Sequence, residues 1–201
     1  RYLHQSGVNT IRLFAEYLDQ AIRSGKKVIA YFGFGCVHSG AGPELLEFVE
    51  RFQIPFITTM DAKGVIADTH PLSLGMGGTC GDMGARQALK DADVVLAVGC
   101  SFAKWQSWRF QEDIFDNKVL MQINLDPHEI GKVYKADFSM VSDAKPAMRK
   151  LTEALGSRIN VTEKARPRID RHCFQTIAYD GAKVHPGRLS QELGRLLPDK
   201  A

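Results

Sequence analysis

Four short stretches place groups able to bind phosphate, ribose or a flat ring where a strand would end. In Ile123–Lys132, INLDPHEIGK, an apolar run closes on Asn124 and Asp126 and stops at Pro127. Proline cannot extend a strand ladder but suits the first turn of a helix, so both polar residues stand at a strand's carboxyl end. Ligands of open α/β sheets sit at that end, and there Asn124 and Asp126 could receive ribose hydroxyls. Asp126 would equally cap the short helix that Pro127 begins. Gly33-Phe34-Gly35 lies between an apolar run and a helical pattern, and its missing side chains let backbone N–H groups approach a phosphate. His38 occupies the third glycine position of the G-x-G-x-x-G fingerprint, so a tight strand-to-helix turn accounts for the same residues. Gly75-Met76-Gly77-Gly78-Thr79-Cys80-Gly81 offers permissive backbone for close approach of a flat or charged ligand, or simply a flexible loop. Gly99-Cys100-Ser101 ends a further apolar run, and the Ser101 hydroxyl suits a phosphate or a ribose. Trp105, Trp108 and Arg109 follow it, to stack on a ring or to fill a domain interface. The candidate binding set is therefore Gly33, Gly35, Gly75, Gly77, Gly99, Ser101, Asn124 and Asp126. His38, His128 and Glu129 show neither nucleophile nor metal spacing, so no catalytic residue and no metal ligand is assigned.

These residues need a scaffold of alternating strands and helices. Apolar residues at Ile11, Phe14, Ala15, Leu18 and Ile22 give helical spacing, with Asn9 or Thr10 as the cap. KVIAYF (27–32), Ile54–Thr59, ADVVLAVG (92–99), 119–125 and 138–141 read as strands, the apolar ones as buried on both faces. Helices are expected over 43–52, over 83–90 with Asp82 as its cap, and over 144–155. Residues 60–84 read as a long functional loop with a short strand near 72–74, and 105–114 as helix or loop. The alternation predicts a three-layer, Rossmann-like α/β domain with a mainly parallel sheet of about six strands and helices on both faces. The expected boundaries are a leading helix in 1–25, the central domain in 26–156, a basic linker in 157–183 and the start of a truncated further domain in 184–201.

The totals agree with a soluble globular body. The chain has 201 residues, 44% hydrophobic and 24% charged, with a net charge of +3. So small a charge gives no reason to invoke nucleic acid or an anionic membrane. No apolar run approaches the roughly 20 residues that span a bilayer. Cys36, Cys80, Cys100 and Cys173 form no CxxC pair, and the start lacks a signal-peptide core. Reduced thiols in a cytoplasmic protein are the expectation.

Six stretches in order resemble the middle domain of thiamine-diphosphate-dependent enzymes of the acetolactate synthase type. They are Gly33–Ala41, Ile54–Thr59 with Lys63-Gly64, His70-Pro71-Leu72 with Leu74-Gly75-Met76, Ala92–Gly99, INLDPHEIGK, and Val141–Ala144. His185–Pro198 resembles the start of the family's C-terminal cofactor domain. Gly81-Asp82 is similar to the opening of the family's diphosphate–magnesium motif, but Met83 breaks it and no Asn-Asn pair occurs. Three departures stand out from members that bind FAD: Cys80 near a common histidine, Ser101–Trp105 in place of an Arg-Phe-Asp-Asp-type run, and Asn124 for an aspartate.

The resemblance implies a central, non-catalytic domain flanked by N- and C-terminal domains in a homo-oligomeric parent. The parent would use thiamine diphosphate and magnesium, held outside this chain, to decarboxylate a 2-oxo acid and transfer or release the product. Such a parent is a lyase or a transferase. Two other readings remain open: an FAD- or ADP-binding module within such an enzyme, and an NAD-binding, sirtuin-like enzyme, against which the missing CxxC pairs count.

Overall fold

A computed structural model describes residues 8–158 and 184–197. All but the first two residues of the expected linker, with the basic run from Lys164 to Arg171 and Cys173, lie outside the described residues. The chain divides into two compact units, Arg1–Ile169 and Asp170–Ala201.

The first unit is built on six parallel strands, β1 Val28–Phe32, β2 Phe56–Thr58, β3 Ser73–Met76, β4 Val94–Val98, β5 Val119–Asn124 and β6 Phe138–Val141. Their spatial order is β3-β2-β1-β4-β5-β6. The chain steps outward from β1 to β3, then returns across β1 to lay down β4, β5 and β6. The reversal makes a switch point between the carboxyl ends of β1 and β4, where such sheets commonly open a crevice. β1 and β4 are buried at all five positions, as their unbroken apolar sequences require.

Alternation along each strand sends side chains to two unequal layers. Ala30, Phe32, Phe56 and Leu96 face helices α1 (Val8–Arg23), α3 (Gly42–Phe52) and α5 (Ala144–Gly156). These helices contribute Phe14 and Leu18, Leu45 and Phe48, and Met148 and Leu151 at helical spacing. Burying one such side chain stabilises the fold by about 1.5–3 kcal/mol. Ile29, Tyr31, Val95 and Ala97 face the other way, against α4 (Met83–Asp91) and the irregular segments that carry Phe102, Ile114 and Tyr134. Loop residues thus do on one face much of what helices do on the other.

Local chemistry explains where the elements differ from expectation. α1 already includes Asn9 and Thr10, so neither caps it. Ile54 N donates to Val49 O at 3.1 Å, closing α3, and β2 therefore begins only at Phe56. Phe34–His38 forms a short helix, α2, where the sequence showed only a turn. Asp82 precedes α4, but its carboxylate accepts from Met76 N at 2.8 Å instead of capping the helix. Asp143 does cap α5, accepting from Lys145 N at 2.9 Å. In the second unit, α6 (Pro186–Leu196) starts on the proline after His185, whose ring accepts from Gly187 N.

Candidate functional site

The switch point brings Gly33, Gly35 and Gly99 together. Gly33 N donates to Val98 O at 2.9 Å and Gly35 N to Gly99 O at 3.1 Å. A Cβ at Gly33 would stand 2.3 Å from Gly99 O, and one at Gly35 2.8 Å from Gly99 Cα. Gly99 itself has φ +62°, and a Cβ there would meet Cys36 N at 2.8 Å. These glycines let two backbone loops touch each other. The N–H groups of Gly33 and Gly35 point into that contact.

The second glycine stretch is pressed against the segment that follows β4. Gly77 N donates to Thr58 O at 2.8 Å, and a Cβ on Gly77 would meet the Tyr31 hydroxyl at 2.8 Å and the Trp108 ring at 3.3 Å. Gly78, at φ +97°, leaves 2.3 Å between a Cβ and Trp105 O. Thr79 N donates to that same carbonyl at 2.7 Å. Gly75, at φ +91°, lies against the carboxylate of Asp82. Thr58 and Thr59 are buried and Thr79 is half-buried, and none of the three hydroxyls has a hydrogen-bond partner in the described structure.

Gln106 sits at the centre of this edge. Its Oε1 accepts from Ser101 Oγ at 3.2 Å and from Ala103 N at 3.3 Å. Its Nε2 donates to both carboxylate oxygens of Asp61, 3.2 Å each. The Tyr31 hydroxyl donates to Gln106 O at 2.8 Å. Burial pushes the Tyr31 phenol well above the usual tyrosine range, so it stays a donor.

The backbone here is strained. Phe102 (φ 52°), Trp108 (φ 50°), Arg109 (φ 64°) and Phe110 (φ 63°) are left-handed without being glycine. Each costs about 1–2 kcal/mol and persists only where its surroundings over-determine it. Phe102 is buried edge-on against Tyr31, Phe115 and Tyr134, with ring centres 5.1–5.9 Å apart. Buried Ser107 takes Phe110 N on its hydroxyl at 3.1 Å, and the Tyr134 hydroxyl donates to Ser107 O and Gln111 O at 3.1 and 2.9 Å. The Arg109 guanidinium lies over the Trp105 ring at 5.9 Å.

At the end of β5, the fully buried Gln122 donates to Cys100 O and Glu129 O and accepts from Gly131 N. Asn124 Nδ2 also donates to Cys100 O, at 3.1 Å, while its Oδ1 accepts from Asp126 N. Asp126 Oδ1 accepts from His128 N at 2.9 Å, so Asp126 does the capping that Pro127 suggested. Two thiols flank the switch point. Burial pushes the Cys36 thiol up to about 12 and raises that of Cys100 well above the ordinary thiol range, which leaves both protonated.

The structure therefore gathers all eight sequence-chosen residues on one edge and engages each with atoms of the chain itself. Sequence reasoning missed Tyr31, Asp61, Gln106, Ser107, Gln122 and Tyr134. The signal available was a polar group inside a buried strand: Tyr31 in VIAYF and Gln122 in VLMQIN both needed a partner near the strand's end. Asp61 and Gln106 gave no such signal, because their meeting depends on the fold. Among the described residues no group of three or more His, Cys, Asp or Glu side chains could hold a metal ion. No described helix is long and apolar enough to cross a membrane.

Residues 16–151 match the family model of the thiamine pyrophosphate enzyme central domain. The chain is 32% identical over 194 residues to a probable acetolactate synthase large subunit of Methanococcus aeolicus, covering 89% of this chain and 32% of the relative. It is 32% identical over 139 residues to a 3D-(3,5/4)-trihydroxycyclohexane-1,2-dione hydrolase of Geobacillus thermodenitrificans, covering 69% and 21%. To a pyruvate oxidase of Lactiplantibacillus plantarum the identity is 31% over 144 residues, covering 70% and 23%. The chain thus spans a third or less of the length of these relatives.

Proposed function

The chain belongs to the thiamine pyrophosphate enzyme family, whose central domain it carries, and from that premise we propose that it serves its parent enzyme as a structural, non-catalytic body. The carrying observation is that every candidate binding group on the carboxyl edge is engaged within the chain, from the Gly33–Gly99 contact to the Asp126 cap. The parent would be a cytoplasmic homo-oligomer, a lyase or transferase that decarboxylates a 2-oxo acid. When bound in the parent, thiamine diphosphate would supply the electron sink for that chemistry, and the protein's part would be to position it. The residues present do not fit that group: Asp82, nearest in sequence to a diphosphate–magnesium motif, spends its carboxylate on Met76 N. No catalytic step is therefore assigned to this chain. Its role is to hold flanking domains in register on a rigid sheet.

The test is turnover. This chain, supplied with 2-oxo acids, thiamine diphosphate and magnesium, should release no carbon dioxide above the protein-free background, whereas the full-length parent should. Turnover by the chain alone would end this reading.

A second reading, a flavin- or adenine-nucleotide module, is favoured by the unpartnered hydroxyls of Thr58, Thr59 and Thr79 at the same edge. A ligand that binds only the folded state adds about 2.7 kcal/mol at 100 times its dissociation constant, which a thermal melt with FAD or ADP would reveal.

A further inference from the structure

We propose that residues 101–111 form a strap that closes this domain's own nucleotide crevice, with Gln106 as its latch. The carboxyl edge would then take up neither flavin nor adenine nucleotide. The inference rests on the central-domain reading above.

Two neighbouring residues tie together the segments that follow β2, β3 and β4 and the end of β1. Trp105 O receives Thr79 N from the loop after β3, and Gln106 O receives the hydroxyl of Tyr31 from β1. The Gln106 amide bonds to Asp61 after β2, and to Ser101 and Ala103 after β4. One dipeptide thus joins four elements at the end where a ligand would otherwise bridge them. Close backbone approach, which glycine gives a phosphate elsewhere, is here given to the strap: Gly78 lies against Trp105 O and Gly77 against Tyr31 and Trp108. The Ser101 hydroxyl, the natural group for a ribose or phosphate, already donates to the latch.

The strap is also strained. Its left-handed residues are held by Ser107 and by the Tyr134 hydroxyl, while Gln106 fastens it to the other loops. Loss of the latch should therefore open the strap locally and leave the sheet intact.

Native-state hydrogen exchange on the 201-residue chain reads this directly. In the wild type, the amides of Thr79 and Arg109 should be protected. In Gln106→Ala, which loses several hydrogen bonds, they should exchange at least about tenfold faster. The β1 amide of Ala30, bonded to Pro55 O, should stay unchanged. If that variant fails to fold, Tyr31→Phe removes the single bond to Gln106 O and should accelerate the same two amides by a smaller factor. In parallel, FAD and ADP titrated to about 1 mM, a concentration that detects even weak sites, should bind the wild type in neither flavin fluorescence nor melting. Unprotected Thr79 and Arg109 in the wild type, rates unchanged in both variants, or binding of either nucleotide would each overturn the strap. Nucleotide binding would leave the family reading standing. Turnover by the isolated chain would end the structural-body reading without touching the exchange result.

Discussion

The two ends of the sheet solve the same problem with different chemistry. At the amino edge, charged side chains tie down the strand starts. Asp93 accepts from Lys27 N at 2.7 Å, Asp137 from Leu120 N at 3.0 Å, and Lys118 Nζ donates to Lys90 O at 2.7 Å. Partial burial lowers the Lys118 ammonium below the usual lysine range, but nearby aspartates act against that. At the carboxyl edge, neutral amides, hydroxyls and backbone groups do the tying, glycines set the spacing and four non-glycine residues are left-handed. Four large apolar side chains left exposed, Phe34, Met60, Trp105 and Leu125, also lie in segments that follow strand ends there. Charges on an exposed edge are adjustable and individually weak. Backbone-to-backbone contacts are not adjustable, so one added methyl should be felt. The amino edge is built to tolerate change and the carboxyl edge to hold one geometry.

Gly33→Ala should break the carboxyl edge most severely. Its Cβ would meet backbone atoms of Gly99 and Cys100, which no rotamer can move aside. A loss of about 3 kcal/mol is expected in urea unfolding, at the upper end for overpacking. A loss smaller than that of an amino-edge charge deletion would dissolve the contrast between the two ends.

Tyr134→Phe keeps the ring stack with Phe115 and deletes the hydroxyl that holds Ser107 O and Gln111 O. We expect a loss of about 2 kcal/mol, because the one phenol proton that both carbonyls share is lost and their desolvation is no longer offset. At the amino edge, Asp93→Ala should cost only about 1 kcal/mol, because Lys27 N becomes accessible to water. Equilibrium unfolding of both variants side by side gives the comparison, and equal losses would remove the contrast.

Alkaline titration sharpens it further. The unfolded Cys36 thiol ionises near the ordinary value of 9.0, while the folded one keeps its proton to about 12. Between those values the folded state binds more protons, so stability falls as pH rises through that window. Tyr134, pushed from 10.0 to about 12, adds to the same loss. Stability measured at about pH 8 and about pH 10.5 should therefore fall less steeply in Cys36→Ala than in the wild type. An identical fall in both would mean that the thiol is not buried as described.

The smallest effect is expected at Trp105→Ala. That side chain is 53% exposed, and its contribution to the strap is its backbone carbonyl. Stability should change by no more than about 0.5 kcal/mol. A larger loss would mean that the ring itself holds the strap.

Much of the sheet was legible because burial leaves a direct imprint. The runs at 28–32 and 94–98 are apolar throughout, and a central parallel strand covered on both faces can be little else. Phe14, Leu18, Phe48 and Leu151 repeat at helical spacing for the same reason. The carboxyl edge could be marked out as well, since glycines and small polar residues collect at strand ends in such folds. What each of those residues touches could not be found. Glycine permits close approach without saying to what, and Gly78 would read alike facing a phosphate or Trp105 O. The left-handed run Trp108–Phe110 carries no glycine or asparagine to announce it. It exists because Ser107, Tyr134 and the rings around Phe102 enforce it.

The sequence by itself determined most of the elements, the parallel sheet and the family. Periodicity and composition record whether a side chain meets water or core. Only the tertiary structure decided what fills the carboxyl edge. Asp61 and Gln106, 45 positions apart, meet because the segments after β2 and β4, the strands on either side of β1, converge at one end of the sheet. A contact of that kind is set by topology, and no local pattern of residues encodes it.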